Sequence, residues 1–119
     1  KSLLAEQLVK PGKMEIFICD ADGKNNKMLT NNGNANFAPF FLPGDKQIIF
    51  SSNMKDPGGR FFDLFVINID GLGLEQISFD GHFNAFAMLS TDGKKIVFVS
   101  DRNAKGGYEF NVFVADWVN

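Results

Sequence analysis

Leu64-Phe65-Val66-Ile67-Asn68-Ile69-Asp70-Gly71 is an apolar run closed by a turn signal, and it recurs on either side of itself. The earlier copy is Ile16-Phe17-Ile18-Cys19-Asp20-Ala21-Asp22-Gly23 and the later one Val112-Phe113-Val114-Ala115-Asp116-Trp117. From 16 to 64 and from 64 to 112 the step is 48 residues each time. The intervening sequence keeps the same register. Ile48-Ile49-Phe50-Ser51-Ser52 answers Ile96-Val97-Phe98-Val99-Ser100, Lys46 answers Lys94, and Gly58-Gly59 answers Gly106-Gly107, with no gap. A fixed period of this length is the mark of propellers and solenoids, in which each repeat buries its apolar face against the next.

Within one period every apolar run is short, β-branched or aromatic, and bounded by Gly, Asn, Asp or Pro. The pattern predicts four strands per period, at 37–42, 47–52, 63–68 and 75–79, and repeats the first three at 85–89, 95–100 and 109–116. Two further strands, 14–20 and 27–30, precede them. Pro43-Gly44-Asp45 and Thr91-Asp92-Gly93 join first strands to second, while Asp22-Gly23 and Asp70-Gly71 sit where a tight hairpin needs positive φ. Four antiparallel strands in such a period make one propeller blade. The expected fold is therefore all-β, with about two and a half four-stranded blades in 119 residues, a partial or oligomer-completed propeller. The 14 Phe residues suit flat sheets stacked face to face. Residues 1–13 fall off the pattern and are expected to be irregular or a short helix; 14–119 are the repeats.

Composition narrows the functional classes. A net charge of −2 and a pI near 5.2, with Lys and Arg scattered singly, give no basic stripe to follow a phosphate backbone, so nucleic acid is not the expected partner. The apolar runs fall well short of the ~18 residues that cross a bilayer as a helix. Cys19 is the single cysteine, which excludes an intrachain disulfide and a Cys-based metal cluster. Its counterparts Ile67 and Ala115 are apolar, so it is read as a buried structural thiol.

These residues resemble the TolB-like propeller repeats, the Pro-Asp-Gly relatives of the WD repeat. The resemblance rests on Pro39-Phe40-Phe41, Lys46-Gln47-Ile48-Ile49-Phe50-Ser51, Asp22-Gly23 and Leu29-Thr30. The next copy supplies Asp92-Gly93-Lys94-Lys95-Ile96-Val97-Phe98 and Ser100-Asp101-Arg102. It departs where Pro43-Gly44-Asp45 and Thr91-Asp92-Gly93 stand for Pro-Asp-Gly, and where Ala87 stands for the Pro matched by Pro39. The resemblance implies a propeller, a periplasmic or cell-surface location, and a role in holding other proteins.

No chemical motif competes with that reading. Asp20-Ala21-Asp22-Gly23-Lys24-Asn25 opens like a calcium loop, but its twelfth position is Asn31 and not a bidentate acid, so a hairpin turn accounts for it better. His82 is the sole histidine and has no Ser or Cys elbow to activate. Asp101 and Glu109 are candidates to face one another, with solvated loop charges as the default. The expectation is no catalytic set, no cofactor and no metal.

In a propeller the inter-blade loops share a face with the loops joining second to third strands, and function favours loops on a rigid scaffold. The expected partner-binding residues are Asn34, Asn36, His82 and Asn84 from the former, with Asn53, Arg60, Arg102 and Tyr108 from the latter. Their amides, cations and aromatics suit a protein or peptide and also carbohydrate. A second class stays open: the propeller part of an enzyme, either a gating domain of a peptidase or an oligogalacturonate-lyase-like module. Incomplete blades at both ends predict self-association, or a longer chain that supplies the missing blades.

Overall fold

The alternation in the second repeat sets the architecture. Pairing Ile48 with Ile67 and Phe50 with Phe65 puts these four side chains on one face of a sheet, and pairing Ile49 with Val66 and Ser51 with Leu64 puts the others opposite. Both faces are buried, which is why the strands read as almost unbroken apolar runs. The computed structural model describes residues 12–105 and 109–118. Its nine strands are β1 (Phe17–Ile18), β2 (Lys27–Met28), β3 (Asn36–Phe41), β4 (Gln47–Ser52), β5 (Asp63–Asn68), β6 (Glu75–Gln76), β7 (Asn84–Leu89), β8 (Lys95–Ser100) and β9 (Asn111–Asp116). They form antiparallel sheets in the orders β1-β2, β3-β4-β5-β6 and β7-β8-β9, with no helix among the described residues. The described residues thus form one complete blade between two partial ones. The expected short helix or irregular segment at the N-terminus lies almost entirely outside the described residues.

Two apolar layers hold the blades together. Ile16 and Leu29 of the first blade meet Ile48, Phe50, Phe65 and Ile67 of the second. The other face of that blade, Leu42, Ile49, Leu64 and Val66, meets Ala87, Leu89, Ile96 and Phe98 of the third. Phe50 stacks on Phe65, and Phe98 stacks on Phe113 in the equivalent place, each with centroids 5.9 Å apart.

Several strands are shorter than expected, for a local reason. At the end of the outer strand the amides of Ile77 and Ser78 both reach Leu64 O, while the Ser78 hydroxyl accepts from Leu64 N at 2.9 Å. Thr30 does the same for Ile16 N at 2.8 Å. A side-chain hydroxyl thus replaces a ladder bond and ends β2 and β6. The inner strands carry a second irregularity. Their register shifts after Phe37 and after Ala85, with Ala38 and Phe86 at φ of 56° and 57°. Such bulges bend a strand and re-aim its side chains.

The turns follow their Gly and Asp order. Gly44 is at positive φ in the second central position of the 42–45 turn, as type II requires, whereas Asp92 is not, and Gly93 takes the left-handed residue that follows.

No described residue covers the outermost faces. Phe17 and Met28 point away from the second blade on one side, and Val112 and Val114 on the other, all exposed. Cys19 lies on the first of these faces and is exposed, which corrects the buried-thiol reading. Its counterpart Ile67 is buried because the first blade covers it, and no described residue covers Cys19 in that way.

Candidate functional site

The inter-blade loops and the turns after β4 and β8 meet on one face, at two junctions 48 residues apart. At the first, Asn53 Oδ1 accepts from Ala35 N at 2.9 Å and its Nδ2 donates to Gly59 O at 3.1 Å. Asn36 donates to Met14 O at 2.9 Å and exchanges hydrogen bonds with Asn32. At the second, Asn84 donates to Asp80 Oδ1 at 2.8 Å and to Phe62 O at 3.2 Å, while its Oδ1 accepts from Arg102 at 2.7 Å. Asp101 takes the place of Asn53, accepting from Phe83 N at 2.8 Å.

The expected site residues therefore divide. Asn36, Asn53 and Asn84 are buried, and their amides are consumed inside the protein. They shape the loops from within, the amide oxygen and nitrogen of each being engaged inside the protein. Asn34 is half-buried and closes its own loop, donating to Asn32 O at 3.0 Å. Arg60 is exposed on a loop pinned by Asp56, whose carboxylate accepts from Phe61 N at 3.1 Å. His82 and Arg102 are half-buried and come together with Asn84, while Tyr108 lies outside the described residues.

Asp101 and Glu109 do not face each other. Asp101 engages the inter-blade loop, and Glu109 accepts from Lys105 N at 3.1 Å. His82 Nδ1 lies 3.4 Å from Asp101 Oδ1, yet no Ser, Thr or Cys among the described residues is hydrogen-bonded to the imidazole in a nucleophile's position. Groups of three or more His, Cys, Asp or Glu arranged to hold a metal are also absent among the described residues.

Sequence reasoning missed two features. One is an aromatic cluster beside the junctions, in which Phe37 contacts Phe62, Phe83 and Phe86, and Phe83 contacts Phe62 and Phe110. Phe61, Phe86 and Phe110 leave about half their surface open. The second is Asp63, buried at the start of β5, which accepts from Ser78 Oγ at 3.0 Å. Burial pushes its carboxyl above the usual carboxylate range, the Ser78 bond opposes this, and the charge of Asp80 adds to it. The signal was present, since Glu15 and Thr30 stand 48 residues before Asp63 and Ser78 and make the same contact at 2.7 Å.

A stack of antiparallel sheets at a 48-residue period, the central one a complete four-stranded blade, joined through such loops, defines a β-propeller segment. The family profile described as TolB beta propeller domain matches residues 1–117, and the chain belongs to that family. Among solved structures, a putative TolB from Agrobacterium tumefaciens aligns with a TM-score of 0.73 and 24% identity over 86% of this chain and 37% of its own. TolB from Acinetobacter baumannii gives 0.68 and 27% over 89% of this chain and 25% of its own. The tricorn protease gives 0.62 and 13%, covering 91% of this chain and 12% of its own, a likeness of fold alone. The chain thus spans well under half the length of these structures. No curated protein sequence matches it. No helix among the described residues is long and apolar enough to cross a membrane.

Proposed function

We propose that the chain is a non-catalytic interaction module that binds a protein or peptide partner on the face built by its inter-blade loops, in the periplasm or at the cell surface. The observation that carries this reading is the layering of that face. Buried, fully bonded Asn36, Asn53 and Asn84 hold the loops from beneath, while Arg60, Phe61, Phe86 and Phe110 stand open above and beside them. A rigid base under exposed aromatic and cationic side chains lowers the entropy lost on binding, and Phe and Arg suit interface cores. Carbohydrate would also stack on such rings, but a protein is the better match for a face with both apolar and charged groups. The family membership supports the same choice. An enzymatic propeller is the weaker reading, because His82 has an acid beside it and no Ser, Thr or Cys among the described residues is hydrogen-bonded to it.

The uncovered outer faces support a further element of this reading: copies associate through Phe17, Met28, Val112 and Val114 unless additional blades of a longer chain cover them.

The test compares capture of envelope proteins by the unaltered chain, by Arg60→Glu combined with Phe61→Ser, and by Lys24→Glu in the hairpin between β1 and β2. A partner lost with the first variant and kept with the second supports the loop face. Equal capture by all three, or turnover of a peptide or pectin substrate that vanishes with His82→Ala, overturns it.

A further inference from the structure

The two junctions occupy equivalent positions but are closed by different chemistry. In the first, Asn32 Nδ2 donates to Asn36 Oδ1 at 3.0 Å, Asn36 Nδ2 returns a bond at 2.8 Å, and the Met54 sulfur lies 4.0 Å from Asn32 Nδ2. The Glu15 carboxylate also accepts from Asn36 Nδ2 at 3.1 Å and from Gly33 N at 2.9 Å, and both of these donors are neutral. Forty-eight residues on, the same slots hold Asp80, Asn84 and Arg102. The Arg102 guanidinium is 2.5 Å from Asp80 Oδ2, donates to Asn84 Oδ1, and through Nε donates to Ser100 Oγ at 3.1 Å. Its carbon sits 4.9 Å from the centroid of Phe98 and 5.5 Å from that of Phe113. One side chain therefore ties an inter-blade loop, the end of β8 and two stacked rings. A second pair crosses it. The loop supplies Asp80 and then His82, the turn supplies Asp101 and then Arg102, and each acid meets the other segment's base.

We propose that Arg102 is the positioning residue of the loop that carries His82, and that this junction is a salt-sensitive ion-pair clamp, while its counterpart, with Met54 in the arginine's slot and neutral donors on the Glu15 carboxylate, is much less sensitive to salt. The two halves of the loop face then respond differently to ionic strength. The side chains of the Asp80–Arg102 pair are about 30% exposed, so ions reach it and screen it, whereas hydrogen bonds between amides, or from neutral amides to the Glu15 carboxylate, offer no opposite charges for salt to screen. Arg102 also neutralises Asp80 beside the buried Asp63 carboxyl. Removing the cation alone leaves two acids adjacent; removing Asp80 as well restores the combination that the preceding repeat already uses.

The consequence for a partner rests on the function proposed above, but the clamp is testable without one. Amide hydrogen exchange is measured at Phe83, which donates to Asp101, and at Ala35, which donates to Asn53. Arg102→Met is expected to speed exchange at Phe83 by about tenfold and leave Ala35 unchanged, as loss of one charge-assisted contact predicts. Asp80→Asn combined with Arg102→Met is expected to return most of that protection. Raising salt from about 0.1 M to about 1 M, which shortens the Debye length from ~10 to ~3 Å, should speed Phe83 in the unaltered chain and not in the double variant. Unchanged Phe83 exchange in Arg102→Met, an equal rise at Ala35, or no recovery in the double variant would each overturn the proposal. If Arg102→Met alone does not fold, Arg102→Lys replaces it; the clamp predicts a folded chain with Phe83 exchange intermediate and still salt-sensitive. Failure of the partner reading would appear separately, as capture indifferent to Arg60 and Phe61 with the Phe83 effects intact.

Discussion

Val66 and Val114 occupy one slot in successive repeats, and the same substitution at each separates what the repeat sequence contributes from what tertiary cover contributes. Val66 pairs with Ile49 and is 3% exposed between the second and third blades, among Leu42, Leu64, Ala87 and Leu89. Val114 pairs with Val97 and is 68% exposed. Changing Val66 to Ala removes two buried carbons at about 0.8 kcal/mol each, and the cavity left behind raises the loss to about 2–3 kcal/mol. At Val114 only the strand preference of valine is lost, about 0.5 kcal/mol. Against a total of roughly 5–15 kcal/mol for a domain of this size, the first change lowers the melting temperature by about 10–20 °C and the second by a few degrees. Urea midpoints of the three proteins, at concentrations where light scattering shows monomer, measure the difference. A Val114→Ala loss equal to that of Val66→Ala in the monomer would mean that its face is covered after all, and the account of the open blade would be refuted. A Val114 loss that appears only as concentration rises would identify association of copies as the cover.

Two further outcomes are expected. The folded chain binds a proton at Asp63 more tightly than the unfolded chain does, so Asp63's contribution to stability is fully present below its ordinary value of 3.8 and is lost as pH rises through the raised folded value. Asp63→Asn should therefore gain stability relative to the unaltered chain as pH is raised across that window, and urea midpoints with a constant offset at all pH values would contradict it. Cys19, being exposed, should react with an aromatic disulfide reagent in the native monomer within about tenfold of its rate in urea; protection of about a thousandfold would show a covered thiol.

Strands β4, β5 and β8 match their sequence-based bounds residue for residue, and the hairpins at Gly23 and Gly71 take the positive φ that their sequence demands. These features are written locally, in side-chain alternation and turn chemistry, and the 48-residue repetition states them more than once. The ends of β2 and β6 were less legible. They stop where Thr30 and Ser78 substitute a hydroxyl for a ladder bond, and that contact joins residues 14 apart in sequence.

The polar residues of the loop face show where local reading ends. Asn34 and Asn36 look alike in sequence, yet one is half-buried at the surface and the other is enclosed by Met14 and Asn32. Asparagine signals a turn either way; which side of the turn faces water depends on strands that arrive from elsewhere in the chain. Cys19 and Ile67 share a slot and differ because only the latter has a blade against it. By itself the sequence determined the strands, the turns, the blade period and the family. Tertiary structure alone decided which asparagines are buried beneath the loops, that Arg102 ion-pairs at one junction while amides and the Glu15 carboxylate close the other, and that the rings from Phe37 to Phe110 form one cluster. Burial and long-range pairing are properties of surfaces brought together, and a repeat that writes the same slot twice cannot say what will lie against it.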